Sequence, residues 1–509
     1  MRTRSALRNA YWGIISQIVI LFLGFVSRKV FLMILDSSYL GLNSLFTNII
    51  SVISLAELGI SNAIIYHLYR PLANNDTKEI AKLMNFYKRA YRLIAVVVAA
   101  IGLGILPFLH IIITDQTFPQ DYIRIIFFLF LIDAVASYFF SYKRSIIFAD
   151  QKNYVIIKIN TLYKIILTIT QIVILFITKN FVLYLVLNII FKLFENITIA
   201  KIADKNYPYI NERVVLESEK RKRIFTNIKD IFINKLSWTV TNSTDDIIIS
   251  MFSNLSVIGF ISNYNMLILA IQSLVAKTLD ATQAGIGNLL AEESKDHIYT
   301  VLKRYSLLAF LIASFCGISL YTLSSPFIAL WLGKEYIINS ALIWVLVFNF
   351  FLLILRTPLW QMVGVSGLFR QEKNIALVGT AFNIIFSVLL AKSIGVVGVY
   401  IGTTISMVVQ IFLKIPLFFK RFLQKNFWPY FYFVFSKVFI YLGELVLVQF
   451  IISFISIEMK ILEFFAFAAV CLLVPNGINY LIYRRSEEFV YLKSMVTNIM
   501  ARKARDSSH

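Results

Sequence analysis

Charge, histidine and cysteine are all scarce in this 509-residue chain. Only 15% of its positions are Asp, Glu, Lys or Arg, against about 25% in an average soluble protein. The two cysteines, Cys316 and Cys471, both lie in apolar runs. That excludes a disulfide framework or a metal site, and the pair read as small core residues. The four histidines, His67, His110, His297 and His509, are isolated from one another, and no catalytic set gathers around them. Asp245 and Asp246 are adjacent, but neighbours on a helix point about 100° apart, a poor geometry for acid–base work. Gly285 and Gly287 open no phosphate-binding loop, so no nucleotide is expected to drive this chain from within.

Apolar sequence is what the chain has in abundance. It is 59% hydrophobic and 15% aromatic, with a mean hydropathy of +0.75. Apolar runs recur at about 11–35, 41–66, 92–113, 122–142, 154–177, 181–200, 228–250, 257–280, 305–325, 337–361, 375–391, 396–413, 429–455 and 461–483. Runs of about 20 residues span a bilayer as helices, because lipid offers the backbone no partners. They are continuous, without the period-two alternation of a membrane barrel. The expectation is therefore an all-α polytopic membrane protein of about fourteen transmembrane helices. The first run is read as retained, since no small-residue cleavage site follows it and Arg28 and Lys29 interrupt it.

Basic residues set the orientation. Of the 49 Lys and Arg, 35 fall in the loops on the side of the N-terminus; five, Arg124, Lys179, Lys334, Lys392 and Lys460, fall in the opposite loops. By the positive-inside rule both termini are cytoplasmic. The net charge of +21 then belongs to cytoplasmic loops and implies no nucleic-acid partner. The outer loops are short, as at Thr114-Asp115-Gln116 and Ser253-Asn254, which leaves no extracellular domain.

A weak internal repeat divides the chain. Ser38-Tyr39-Leu40-Gly41-Leu42 is echoed by Ser256-Val257-Ile258-Gly259-Phe260, Thr77-Lys78-Glu79 by Ser294-Lys295-Asp296, and Gln151-Lys152-Asn153 by Glu372-Lys373-Asn374. The offsets are nearly constant. Two six-helix lobes related by a pseudo-twofold along the membrane normal follow: an N-lobe over 1–200, a basic cytoplasmic linker over 201–226, and a C-lobe over 227–418. Residues 419–509 add two further helices and a cytoplasmic tail. Transporters with such repeats bind substrate between the halves and rock around it.

Ionisable residues deep in a membrane helix are costly and mark function by default. Lys192 and Glu195 are three apart and are expected to pair with each other. Lys158 lies close enough to its helix end to snorkel. Lys437 and Glu444, two turns apart on one face, read as structural. Arg28, Lys29, Lys164, Lys235 and Arg356 resist such explanations and form the candidate substrate-binding set, asking for an anion. Glu57, Asp245 and Asp246 are the candidate gating or ion-coupling carboxylates. Aligning Gly41 with Gly259 puts Arg28 opposite Asp246, as a gate salt bridge or as a charge exchanged for substrate. The polar run around Ser237, Thr239, Thr241 and Ser243 faces either a wet cavity or another helix.

Arg2-Thr3-Arg4, the stretch Leu40 to Phe46, Ser54-Leu55-Ala56-Glu57-Leu58-Gly59-Ile60 and Tyr69-Arg70-Pro71-Leu72-Ala73 resemble the Wzx-type polysaccharide-repeat-unit flippases of the MOP exporter superfamily. The topology match covers nearly the whole chain, and the motifs cover helices 1 to 3. The resemblance implies a bacterial plasma-membrane protein that acts as a monomer on an undecaprenyl-diphosphate-linked oligosaccharide, alongside other polysaccharide-assembly proteins. It implies no enzymatic step and no cofactor, with transport coupled to a Na+ or H+ gradient or to the membrane potential. Fourteen helices are similar to the related lipid II flippases, so a lipid II or teichoic-type precursor stays open as substrate. A drug antiporter would need acidic sites, and a sugar polymerase would need a large outer loop.

Overall fold

The computed structural model describes residues 2–57, 60–212, 214–280 and 283–506. Within its helices, the side chains of 2–4, 6–7, 56–57, 60–63, 222–223, 225–235, 238, 242, 280, 283–284, 291, 369, 496 and 498–506 fall outside the description. Helices make up the fold, and no strand occurs among the described residues. They run in order as α1 (Arg2–Ile34), α2 (Ser37–Ile53), α3 (Ile60–Ala73), α4 (Thr77–Ile105), α5 (Leu109–Ile112), α6 (Gln120–Ala149), α7 (Asn153–Thr178), α8 (Phe181–Asn206) and α9 (Ser218–Phe252). Then come α10 (Leu255–Asp280), α11 (Gln283–Glu292), α12 (Lys295–Trp331), α13 (Ser340–Val365), α14 (Phe369–Ile394), α15 (Val396–Phe418), α16 (Trp428–Ser453), α17 (Lys460–Tyr483) and α18 (Glu487–Asp506).

Twelve helical spans among the described residues are long and apolar enough to cross a membrane, so this is a multi-pass membrane protein. Fourteen such spans were expected. The other two expected runs lie in α2–α3, interrupted by the turn Ser54–Glu57, and in α9, whose 35 residues are too polar on average to qualify.

Helix starts follow local chemistry. Asp36 accepts from the Ser37 backbone N–H at 2.6 Å to open α2. Asp76 accepts from Glu79 N at 3.0 Å to open α4, and Asn180 from Leu183 N at 3.1 Å to open α8. Each satisfies a backbone donor that no preceding turn can reach.

The chain folds as two compact units, Met1–Gly259 and Phe260–His509. In the first, α1 lies along α7, joined by Thr161 and Ser16 at 2.7 Å. Phe31 of α1 meets Phe181 and Tyr184 of α8 edge-on at 5.9 and 5.5 Å. The first turn of α10 crosses α2 at close quarters. Ser38 and Ser256 share a hydrogen bond of 2.7 Å. A Cβ on Gly41 would overlap the Leu255 carbonyl, and one on Gly259 would overlap that of Ser37. Only glycine lets two helices approach so closely. The repeat-related serines and glycines thus meet one another.

In the second unit, Phe310 of α12, Phe351 of α13 and Tyr441 of α16 are buried together. Helices α14 and α15 form a tight hairpin through Gly395, whose φ of +66° favours glycine. Gly398 and Gly402 press onto the Leu390 and Ser387 backbone.

Candidate functional site

A cavity of about 710 Å³ opens in the first unit, walled by α2, α6, α7 and α8. Its lining is rich in hydroxyls and amides: Asn43, Thr47, Ser51, Ser137, Tyr163 and Asn188 among them. Five ionisable residues join these, namely Asp133, Arg144, Lys164, Lys192 and Glu195. Lys192 Nζ sits 2.6 Å from Asp133 Oδ2, and Arg144 Nη2 sits 2.7 Å from Glu195 Oε1 and 2.8 Å from Asn196 Oδ1. The expected pairing of Lys192 with Glu195 is therefore not formed. Each of those residues finds a better-placed partner on α6, across the helix interface instead of along its own helix. These two pairs cancel, and Lys164, exposed to the cavity and electrostatically linked to Glu195, supplies the excess positive charge.

Arg28 lies beside Tyr184, which lines this cavity and hydrogen-bonds Ser27. Arg28 and Lys164 are thus brought to the same polar region. Lys29 is not, because one residue further round the helix it points outward and is exposed. It is five residues from the end of α1, within reach of an interface by snorkelling. Lys158 stands 4.3 Å over the Trp12 ring. Lys235 and Glu57 fall outside the described side chains.

Asp246 does not bridge to Arg28. Its Oδ2 accepts from Ser44 Oγ at 2.6 Å and Asn48 Nδ2 at 2.7 Å, both on α2. Asp245 and Asp246 are both buried, as are Ser237, Thr239, Thr241 and Ser243. The polar run of α9 therefore faces helices, and the cavity takes its polar lining from α2, α6, α7 and α8.

Arg356 belongs to a different cluster, in the second unit. Its guanidinium lies 4.8 Å from the Trp360 ring centroid, and its Nη1 is buried without a hydrogen-bond partner. On the same ring, at 4.1 Å, sits Lys414 Nζ, paired with Glu372 Oε1 at 2.6 Å. Two cations thus lie against one indole ring, and the one carboxylate beside them pairs with Lys414, leaving a net positive charge. Reading from the sequence places Lys414 in a cytoplasmic loop. In the structure α15 runs past it and buries it at 3% exposure. Ending the apolar run at about residue 413 leaves Lys414 outside it, although Ile415, Leu417, Phe418 and Phe419 continue the apolar sequence. The nearest sequence signal is Glu372, in the first turn of the neighbouring helix.

At the far end of the first unit, Asp115 ties the α5–α6 connection to α10. Burial raises its carboxyl, but hydrogen bonds from the Thr117 side chain, Leu255 N and Thr117 N outweigh that and hold it below the usual carboxylate range. The Leu255 and Thr117 backbone bonds are both 2.8 Å.

No family model and no curated protein matches the chain. Solved structures do. The lipid II flippase MurJ, in its inward closed conformation, superposes with a TM-score of 0.67 at 14% identity, over 93% of this chain and 98% of that one. An inward-facing multidrug resistance MATE transporter of the MOP superfamily gives 0.60 at 14% identity, over 78% and 96%. A point mutant of the Vibrio cholerae MATE transporter VcmN gives 0.55 at 13% identity, over 84% and 98%. The fold is that of the MOP exporters.

Proposed function

We propose that this protein is a flippase that carries an undecaprenyl-diphosphate-linked oligosaccharide from the inner to the outer leaflet by alternating access. The observation that carries the reading is the first-unit cavity: hydroxyls and amides for sugars, with Lys164 and the nearby Arg28 for an anionic headgroup. Charge-assisted contacts to phosphate are the strong ones, and Arg matches phosphate in two-pronged fashion. The Arg356–Lys414 cluster offers a second cationic station. Asp246, with Asp245 and Glu57, serves as gate or coupling carboxylate, driven by a Na+ or H+ gradient or by the membrane potential. The protein acts as a monomer in a bacterial plasma membrane, with both termini cytoplasmic, next to other polysaccharide-assembly proteins.

A lipid II-type or teichoic-type precursor is the second reading. It is supported by the superposition on MurJ, which extends over more of this chain than the MATE superpositions do. One experiment separates the two: delete the gene and identify the lipid-linked saccharide that accumulates. An oligosaccharide repeat unit supports the first reading and lipid II the second. No accumulation of any lipid-linked saccharide sinks both.

A further inference from the structure

The last helices hold a buried carboxyl that the proposed transport path does not use. Glu444 of α16 is 2% exposed and lies inside the protein, away from lipid. The Ser314 hydroxyl of α12 donates to its Oε2. Its Oε1 is buried with no hydrogen-bond partner. Among the described residues no cation pairs with it. Lys437, on the same helix, is seven residues back, about 10 Å along the axis. Its Nζ donates to Tyr483 of α17 at 2.8 Å and stands 4.2 Å over the rings of Phe433 and Tyr483. The two residues that read as structural from their spacing do not pair with each other: ring faces and a phenol oxygen hold the lysine instead.

What surrounds Glu444 is otherwise neutral. Tyr441 of its own helix stacks on Phe351 of α13 at 3.9 Å. Tyr321 of α12 and Tyr483 of α17 interact electrostatically within this group, and Cys471 of α17 is buried among these helices. Further along, Lys303 of α12 pairs with Glu488 of α18 at 2.9 Å, and Glu488 also feels Lys437. Polar groups therefore descend from Glu444 through Tyr483 and Lys437 to the Lys303–Glu488 pair, at the end assigned to the cytoplasm by the charge pattern.

A carboxylate with one hydrogen bond and no counter-ion is expensive in a low-dielectric interior, whereas the neutral acid is not. Intramembrane carboxyls with a polar path to one face are elements of proton relays. We infer that Glu444 is a proton-binding site of the second unit, reached from the cytoplasmic side through Tyr483 and Lys437. The inference rests on the reading of this chain as a transporter but not on what it transports. Its ligand is the proton, bound as a carboxylic acid O–H and released as the carboxylate forms.

The test is infrared difference spectroscopy on the full-length protein in lipid nanodiscs, without substrate, titrated from about pH 5 to about pH 9, the span that buried glutamates reach. A pH-dependent carbonyl stretch of a protonated carboxyl is expected in the wild type and lost in E444Q. Ser314→Ala, which removes the hydrogen-bond donor, is expected to move the band, and Lys437→Met to displace its midpoint. Should E444Q fail to fold, the Ser314→Ala band shift carries the same assignment. Identical titration spectra for wild type and E444Q, or a Ser314→Ala spectrum unchanged in both position and midpoint, would overturn the proposal. Because no lipid-linked sugar is present, failure of the flippase reading leaves this readout untouched, and the reverse holds too.

Discussion

The crossing of α2 with the start of α10 yields the sharpest quantitative prediction. Gly41→Ala adds one carbon at a point where there is no room for it. That carbon would overlap the Leu255 carbonyl oxygen and lie 2.7 Å from its carbon and 3.2 Å from Gly259 N. Carbon atoms settle at about 3.5–4.0 Å, so the two backbones must part by about 1 Å. The obstacle is backbone, which cannot swing aside as a side chain can. The Ser38–Ser256 hydrogen bond, now 2.7 Å, then opens past the useful limit. Overpacking costs about 1–3 kcal/mol, and the lost bond about 0.5–1.5 kcal/mol. The crossing is thus weakened by about 1.5–4.5 kcal/mol in the native chain. In the double-cysteine background of the assay, where the serine bond is already absent, the overpacking share of about 1–3 kcal/mol remains, roughly fivefold to 150-fold in the equilibrium constant. The assay is disulfide formation between Ser38→Cys and Ser256→Cys under mild oxidation, followed by thiol alkylation and mass spectrometry. Cross-linking is expected to be rapid in the double variant and suppressed when Gly41→Ala is added. Gly104→Ala, with nothing within 4 Å of the new carbon, is the control and should leave the rate alone. Equal cross-linking with and without Gly41→Ala would refute the reasoning.

Three further outcomes are expected. Glu372→Ala strands the buried Lys414 beside Arg356 and should destabilise the protein by about 3–5 kcal/mol, whereas Lys414→Met, which removes the charge itself, should cost far less; thermal melts of the two variants measure the asymmetry. Lys164→Ala should weaken binding of a polyprenyl-diphosphate sugar about tenfold to a hundredfold, the worth of one charge-assisted hydrogen bond, while Lys29→Ala should leave it unchanged; equal effects in a binding titration would contradict the placement of the two lysines. Asp115, whose carboxyl is held below its usual range, contributes stability that is present above its unfolded value of about 3.9 and lost as pH falls through the folded one. Acidification should therefore loosen the Asp115–Leu255 tie, and Asp115→Asn should flatten that acid limb of the stability curve.

Much of the architecture was legible in residue order alone. Helices in lipid must satisfy their own backbones, so long apolar runs announce spans without help from the rest of the chain. The repeat pointed to Gly41 and Gly259 because a glycine that enables a close crossing leaves a trace in sequence whichever helix it meets. The spans that escaped the simple count, α2–α3 and α9, are those where a turn or a polar face interrupts the apolar signal.

Partnership was not legible. Lys192 and Glu195 looked paired because they are one turn apart, yet each reaches across to α6, since interhelical geometry and not sequence spacing sets the shortest charge separation. Arg28 and Lys29 are neighbours in sequence, and the 100° step of the helix turns one to the cavity side and the other outward. Asp246 matched Arg28 in the repeat but lies against Ser44 and Asn48. Lys414 interrupts the apolar sequence between Leu413 and Ile415, at the expected end of the run, and only the continuation of α15 beside α14 made it a buried cation. Residue order by itself determined the helices, their polarity and the repeat, because those depend on local composition. Which charges meet, and which remain to hold an anion or a proton, was decided by how the helices pack.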